Sequence, residues 1–171
     1  MIHNLSRRFG ARVTMEGRPF HAFPRPEDLA EADPRELRKC GLGFRAEYIS
    51  EISRLVAEGE FDPEGLRGVG YEEARRRLTS LPGVGPKVAD CVLLFSLDRL
   101  EAFPVDVWVR RIVLESYPDH FEQPFIHKVL NRKSITPGEY QKIGSFARRN
   151  FGRYAGYAQE YLYHYKRSCP R

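Results

Sequence analysis

The sequence predicts an all-α fold, and two observations carry that prediction. Apolar residues recur at three- and four-residue spacing in one segment after another, and each segment is opened or closed by Pro, Gly, Asp or Thr. Alternation of period two, the mark of a half-buried strand, is scarce. No internal repeat or low-complexity linker breaks the pattern, so residues 1–171 read as a single helical domain.

A first helix is expected near Ile2 to Phe9. Val13 to Pro26, carrying Gly17, Pro19, Pro24 and Pro26, reads as an irregular connection. Pro26 then opens a short helix with Glu27 and Asp28 in its first turn, where the helix dipole favours negative charge. Arg45 to Glu58 sets Tyr48, Ile49, Ile52, Leu55 and Val56 at helical spacing and stops at Gly59. Tyr71 to Ser80, Lys87 to Leu97, Val107 to Tyr117, Thr136 to Phe151 and Tyr154 to Tyr165 follow, joined by short loops. Segments of this length without a convincing strand pack as helix on helix.

Composition narrows the function. Hydrophobic residues make up 42% and aromatics 12% of 171 residues, enough for a folded core despite 30% charged content. No apolar run approaches the roughly 18 to 20 residues needed to cross a bilayer, and MIHNLSRRFG lacks the apolar stretch of a signal peptide. The expectation is an intracellular protein without a membrane partner, cytoplasmic or nucleoid-associated in a prokaryote and nuclear in a eukaryote. Cys40, Cys91 and Cys169 form no C-x-x-C pair, which speaks against a disulfide framework or a zinc site, and their number excludes a four-cysteine iron–sulfur cluster. The net charge of +5 is uneven: Asn131 to Arg171 carries nine Lys/Arg against Glu139 and Glu160. Arg148 and Arg149 lie in this basic third, which interleaves Tyr and Phe and is a candidate polyanion-facing surface.

The chemistry concentrates in Thr79-Ser80-Leu81-Pro82-Gly83-Val84-Gly85-Pro86-Lys87-Val88-Ala89-Asp90, a Gly-rich turn between two expected helices. Gly83 and Gly85 carry no Cβ, so the chain can turn sharply and another backbone can approach. Their amides, with the N-terminus of the next helix, can face a phosphate without reading sequence. A P-loop needs Gly directly before the Lys and Ser/Thr directly after it; Pro86 and Val88 stand there instead. Lys87 falls in the first turn of its helix, where the dipole disfavours an ammonium, and neutral amine is a nucleophile. Asp106 in Phe103-Pro104-Val105-Asp106-Val107 suits the N-cap of a later helix. The run from Val88 to Phe95 between them is apolar and expected to be buried, and the turn back can bring Asp106 near Lys87. The alternative is a plain helix–helix turn with Lys87 in solvent and Asp106 only capping.

LPGVGPKVADC followed by FPVDV resembles the helix-hairpin-helix DNA glycosylase superfamily, most closely the eukaryotic-type 8-oxoguanine DNA glycosylase/AP lyase family. LRKCGLGFRAEYIS and GRYAGYAQEYL match the same pattern, so the resemblance covers most of the chain. It implies a hairpin near residues 71–97 and a bifunctional base-excision repair enzyme that removes an oxidised purine, 8-oxoguanine, and cleaves the abasic site by β-elimination. Lys87 would form the Schiff base, and Asp106 would stabilise positive charge on the sugar. The flipped purine would sit among Cys91, Gln159 and Tyr163. Phe44 would be the aromatic wedge and Arg45 the contact to the base opposite the lesion, with Gly83, Gly85 and Lys87 on the DNA backbone. Main-chain carbonyls of Thr79, Leu81 and Val84 would hold a structural monovalent or divalent cation; no other cofactor is implied. The implied partner is damaged double-stranded DNA, bound by a monomer. The family's β-rich N-terminal domain, with the backbone carbonyl that tells oxidised from normal guanine, precedes the matched region. Trp108 also stands where animal members often carry His. Two other readings stay open: an AP lyase or a glycosylase for another lesion, and a non-catalytic DNA-binding remnant.

Overall fold

The structure is a computed structural model and describes residues 1–168. Cys169 therefore lies outside the described residues. The described chain is helical, with ten α-helices, short 3₁₀ and π turns and a single two-stranded ribbon. Packing divides the described residues into two compact units, residues 1–68 with 81–83 and residues 69–80 with 84–168.

The first unit holds α1 (Ile2–Phe9), β1 (Arg12–Met15), β2 (Arg18–His21), α2 (Pro26–Ala30), α3 (Pro34–Leu37) and α4 (Arg45–Ala57). The ribbon corrects the expectation of an irregular connection. Met15 pairs with Arg18, leaving Glu16 and Gly17 as a two-residue turn with φ of 52° and 73°. Positive φ at both positions matches the right-handed twist of a hairpin. Every residue of both strands is exposed, so no buried face existed to impose alternation. Pro34 at the first position of α3 and Asp33, whose Oδ1 accepts from the Arg35 amide at 2.8 Å, start a helix that the sequence reading missed. Leu5, Leu29, Leu37, Cys40, Leu42 and Ala46 form the core of this unit, with Phe9, Ala32 and Ile49 packed against it.

The second unit holds α5 (Tyr71–Thr79), α6 (Pro86–Ser96), α7 (Val107–Ser116), α8 (Gln123–Leu130), α9 (Pro137–Phe151) and α10 (Ala155–Ser168). Its core runs through Phe103, Val105, Val109, Val113, Phe121, Val129, Tyr140, Ile143 and Phe146. A capping box starts α9. The Thr136 hydroxyl accepts from the Glu139 amide at 3.3 Å, and Glu139 Oε2 accepts from the Thr136 amide at 2.8 Å. In α6, Ala89, Asp90, Leu93 and Leu94 are buried, but Val88 and Phe95 are exposed, so the run expected to be buried is buried on one face only. Of these two, Phe95 lines the cleft described below.

Gly156 sets the approach of α10. Its amide donates to the Leu100 carbonyl at 2.8 Å, and a Cβ there would come within 2.3 Å of Leu94 Cδ1 and 2.9 Å of the Ala102 carbonyl oxygen. Only a residue without a side chain admits that contact, which puts the start of α10 against α6. Gln159 and Tyr163 lie on the next two turns of the same helix.

Candidate active site

Three helices of the second unit begin or pass at one cleft of about 250 Å³. Gly85 caps α6 with extended backbone, φ −87° and ψ 175°, and Pro86 takes the first helical position, so Lys87 sits in the first turn. Asp106 caps α7: its Oδ1 accepts from the amides of Trp108 at 2.8 Å and Val109 at 2.7 Å. Oδ2 makes neither of those bonds. From α10 come Gln159, which is buried, and Tyr163, which is half-buried.

Lys87, Cys91, Asp106, Gln159 and Tyr163 all line this cleft. Phe95, Pro104 and Glu160 line it too and were not singled out from the sequence. The signal for Phe95 was present, because Lys87, Cys91 and Phe95 repeat at four residues along one helix face. Burial pushes the Cys91 thiol above its ordinary range; the Lys87 amine, hydrogen-bonded to it, pulls the other way, and Asp90 and Asp106 add a further upward push. The thiol is thus held in its neutral form. A purine-sized ligand in this cleft would meet an amide with both donor and acceptor, an aromatic ring and a polarisable thiol.

Asp90, directly before the cleft residue Cys91 on α6, is fully buried. Its Oδ1 accepts from the Tyr71 hydroxyl at 2.8 Å and its Oδ2 from the Tyr140 hydroxyl at 2.5 Å, with Arg75 Nε 3.4 Å from Oδ1. Burial raises the Asp90 carboxyl above the usual carboxylate range, against the two hydroxyl donors and then the guanidinium groups of Arg75 and Arg148. Arg148 does not face outward as a phosphate contact would. Its Nη1 donates to the Tyr71 hydroxyl at 2.9 Å and its guanidinium lies 4.7 Å from the Tyr71 ring centroid. Arg149, the next residue, is exposed.

The remaining candidates are not among the residues that line this cleft. Gly83 belongs to the first unit and adopts φ +72°, with the Tyr48 ring filling the space a Cβ would take. The close neighbour that excludes a side chain there is thus a ring, whereas the expectation was a backbone. A Cβ on Gly85 would meet nothing within 4 Å, so the protein itself places no steric demand there. Phe44, 69% exposed, caps α4, and the Arg45 guanidinium stacks 4.9 Å from its ring centroid. Thr79 is the last residue of α5, where carbonyls run out of partners within the helix, while Leu81 and Val84 follow in the turn. Among the described residues no group of three or more His, Cys, Asp or Glu side chains could hold a metal. Trp108, 54% exposed, lines a second pocket of about 300 Å³ with Arg111, Ile112, Tyr163, Lys166 and Arg167. Among the described residues no helix is long and apolar enough to cross a membrane.

Comparison with known proteins adds to this geometry. Residues 1–121 match the HhH-GPD superfamily of base excision DNA repair proteins. A probable N-glycosylase/DNA lyase of Methanothermobacter thermautotrophicus is 39% identical over 97% of this chain and 54% of its own length. The N-glycosylase/DNA lyase OGG1 of Arabidopsis thaliana is 36% identical over 87% of this chain and 40% of its own. The 8-oxoguanine glycosylase/lyase of Clostridium acetobutylicum, solved with double-stranded DNA containing cytosine opposite 8-oxoguanine, superimposes with a TM-score of 0.80 at 32% identity, covering 97% of this chain and 52% of that one. The chain thus spans about half the length of these relatives. On the match over residues 1–121, the chain belongs to the HhH-GPD superfamily of base excision DNA repair proteins.

Proposed function

We propose that the protein is a DNA N-glycosylase with AP-lyase activity, acting on 8-oxoguanine in double-stranded DNA. The observation that carries this reading is the common cleft of Lys87, Asp106, Cys91, Gln159 and Tyr163. A lysine and a carboxylate alone could be a surface ion pair. Beside a buried amide and an aromatic ring they make a place where a base can be held while its sugar reacts.

In this reading the damaged nucleotide is extruded from the duplex, because its C1′ is out of reach within the stack. The Lys87 amine attacks C1′, and the bond from C1′ to the base breaks with its electron pair leaving on the base. Opening of the sugar gives a Schiff base on Lys87, loss of a C2′ proton follows, and the 3′ phosphate is expelled. In this reading the Asp106 carboxylate stabilises the cationic sugar through the oxygen not engaged by α7, and it serves as the base for the proton that Lys87 gives up. Gln159 hydrogen-bonds the edge of the base, and Tyr163 with Cys91 packs on its faces. Phe44 fills the gap left in the stack and Arg45 meets the base opposite, while the amides at Gly83 and Gly85 hold backbone phosphates. A cation on the carbonyls of Thr79, Leu81 and Val84 would brace the hairpin and take no part in the chemistry. The protein acts as a monomer wherever genomic DNA lies, nucleoid or nucleus.

Borohydride trapping tests the reading. The chain should form a covalent adduct with duplexes carrying 8-oxoguanine opposite cytosine and with abasic duplexes, and Lys87→Gln should form neither while still binding DNA. An undiminished adduct in Lys87→Gln rejects the nucleophile. An adduct with the abasic duplex alone restricts the protein to AP-lyase activity.

A further inference from the structure

Lys87 and Asp106 come from different helices, and neither is held by the other in any hydrogen bond of the structure. The backbone on which each stands is nevertheless tied to one buried atom. Val105, directly before Asp106, donates its amide to the Tyr140 hydroxyl at 3.2 Å. Pro86, directly before Lys87, has its carbonyl oxygen 3.4 Å from that same hydroxyl. The hydroxyl proton itself goes to Asp90 Oδ2 at 2.5 Å, and Asp90 is on α6, one turn after Lys87.

On the reading that Lys87 and Asp106 are the reacting pair, we propose that Tyr140 and Asp90 are positioning residues that fix the separation of Lys87 and Asp106. Tyr140 reaches in from α9, a helix that contributes no residue to the cleft. It is anchored there by the capping box and by the packing of Ile143 and Phe146. Its hydroxyl accepts from the α7 side and donates to the α6 side, so the two helix starts cannot drift apart without breaking one of two buried bonds. Asp90 gives the arrangement its direction. Its two oxygens accept from Tyr71 and Tyr140, so the Tyr140 proton points to Asp90 and the hydroxyl oxygen is left to accept from Val105. Burial raising the Tyr140 phenol far above its ordinary range keeps that proton in place. A fully buried carboxylate in an otherwise apolar helix face is costly to keep, and a core that only needed packing would be served by Leu there.

Tyr71 supplies the control. It donates to the other oxygen of Asp90 at 2.8 Å but is bonded to neither Pro86 nor Val105. Tyr140→Phe and Tyr71→Phe each remove one hydroxyl from the same carboxylate, so a merely structural role predicts equal damage. The experiment measures the single-turnover rate of borohydride trapping at saturating abasic duplex, the Kd for that duplex, and the melting temperature, for the full chain and both variants. Tyr140→Phe should slow trapping at least tenfold with Kd within threefold of the unmodified chain, and Tyr71→Phe should trap within threefold of it. Equal trapping rates in the two variants, fast or slow, overturn the inference. If Tyr140→Phe is unfolded at the assay temperature, Asp90→Asn takes its place. There the amide can donate to the Tyr140 oxygen in competition with Val105, and the same tenfold slowing at unchanged Kd is expected; an unchanged rate overturns the inference. An unmodified chain that traps no adduct rejects the lysine reading itself, an outcome visible before any variant is compared.

Discussion

The aromatic ring of Tyr48 occupies the space in front of Gly83, so closely that a β-carbon at that position would lie 2.3 Å from Tyr48 Cδ2. Gly83 also holds φ +72°, a conformation that costs an L-residue roughly 1–2 kcal/mol. Gly83→Ala is therefore expected to lower the melting temperature by several degrees. Thermal unfolding checks this, and the Tyr48→Ala/Gly83→Ala double variant should lose less than the sum of the two single losses, because removing the ring relieves the clash but not the strained φ.

Asp106→Asn separates capping from chemistry. Asn caps helices about as well as Asp, so the melting temperature should change little. Base release and strand cleavage should slow by about 10² to 10³, the scale for losing a group that meets charge developing in the transition state. Quenched-flow measurement of both steps on an 8-oxoguanine duplex is the check; wild-type rates would leave Asp106 with capping alone.

Glu139 gives the fold a defined acid limb. The Thr136 amide, before any other influence, holds its carboxyl below the ordinary glutamate value of 4.5, with Lys128 3.3 Å away adding to the effect. Its folded pKa is depressed, so its stabilising contribution is present above about pH 4.5 and is lost as pH falls through the folded value. Glu139→Gln keeps the capping-box geometry without the charge. The variant should be less stable than the unmodified chain at pH 7, and the difference should shrink as the pH is lowered past 4.5. Urea unfolding across that range measures it; a difference that grows towards acid would contradict the assignment.

Arg148 and Arg149 should part company in salt titrations. If Arg149 meets a phosphate, Arg149→Ala should reduce the log–log salt slope of duplex binding by about 0.9. Arg148→Ala should leave the slope unchanged and lower the melting temperature instead, because its guanidinium is bound to Tyr71. A slope reduced equally by both would put Arg148 back on the DNA-facing surface.

These pairs show where sequence reading succeeds and where it stops. Helix starts were legible because their causes are local: Pro26, Pro86 and Pro137 at first positions, Asp106 and Thr136 as caps. Lys87, Asp106, Cys91, Gln159 and Tyr163 were grouped by the resemblance of LPGVGPKVADC, FPVDV and GRYAGYAQEYL to a known family, since spacing alone relates only Lys87 to Cys91 and Gln159 to Tyr163. The α8 helix was missed although Phe125, Ile126, Val129 and Leu130 carry the pattern and Pro124 stands in its first turn. The ribbon at residues 12–21 left no trace because neither of its faces is buried. Asp90 was the deepest omission. An acid inside an apolar run says nothing of its partners when these lie 19 and 50 residues away in sequence, at Tyr71 and Tyr140.

The two amides that Asp106 accepts from both end on one of its oxygens. A side chain with a single acceptor atom therefore satisfies everything the helix asks of this position, and Ser, Thr or Asn would pass any screen sorted by heat resistance. On the proposed reading, a library selected on melting temperature alone would admit such substitutions freely and return well-folded proteins that no longer release a base. Stability data, however complete, are blind to the second oxygen of this residue, and on the proposed reading only a selection on damaged DNA would register its loss.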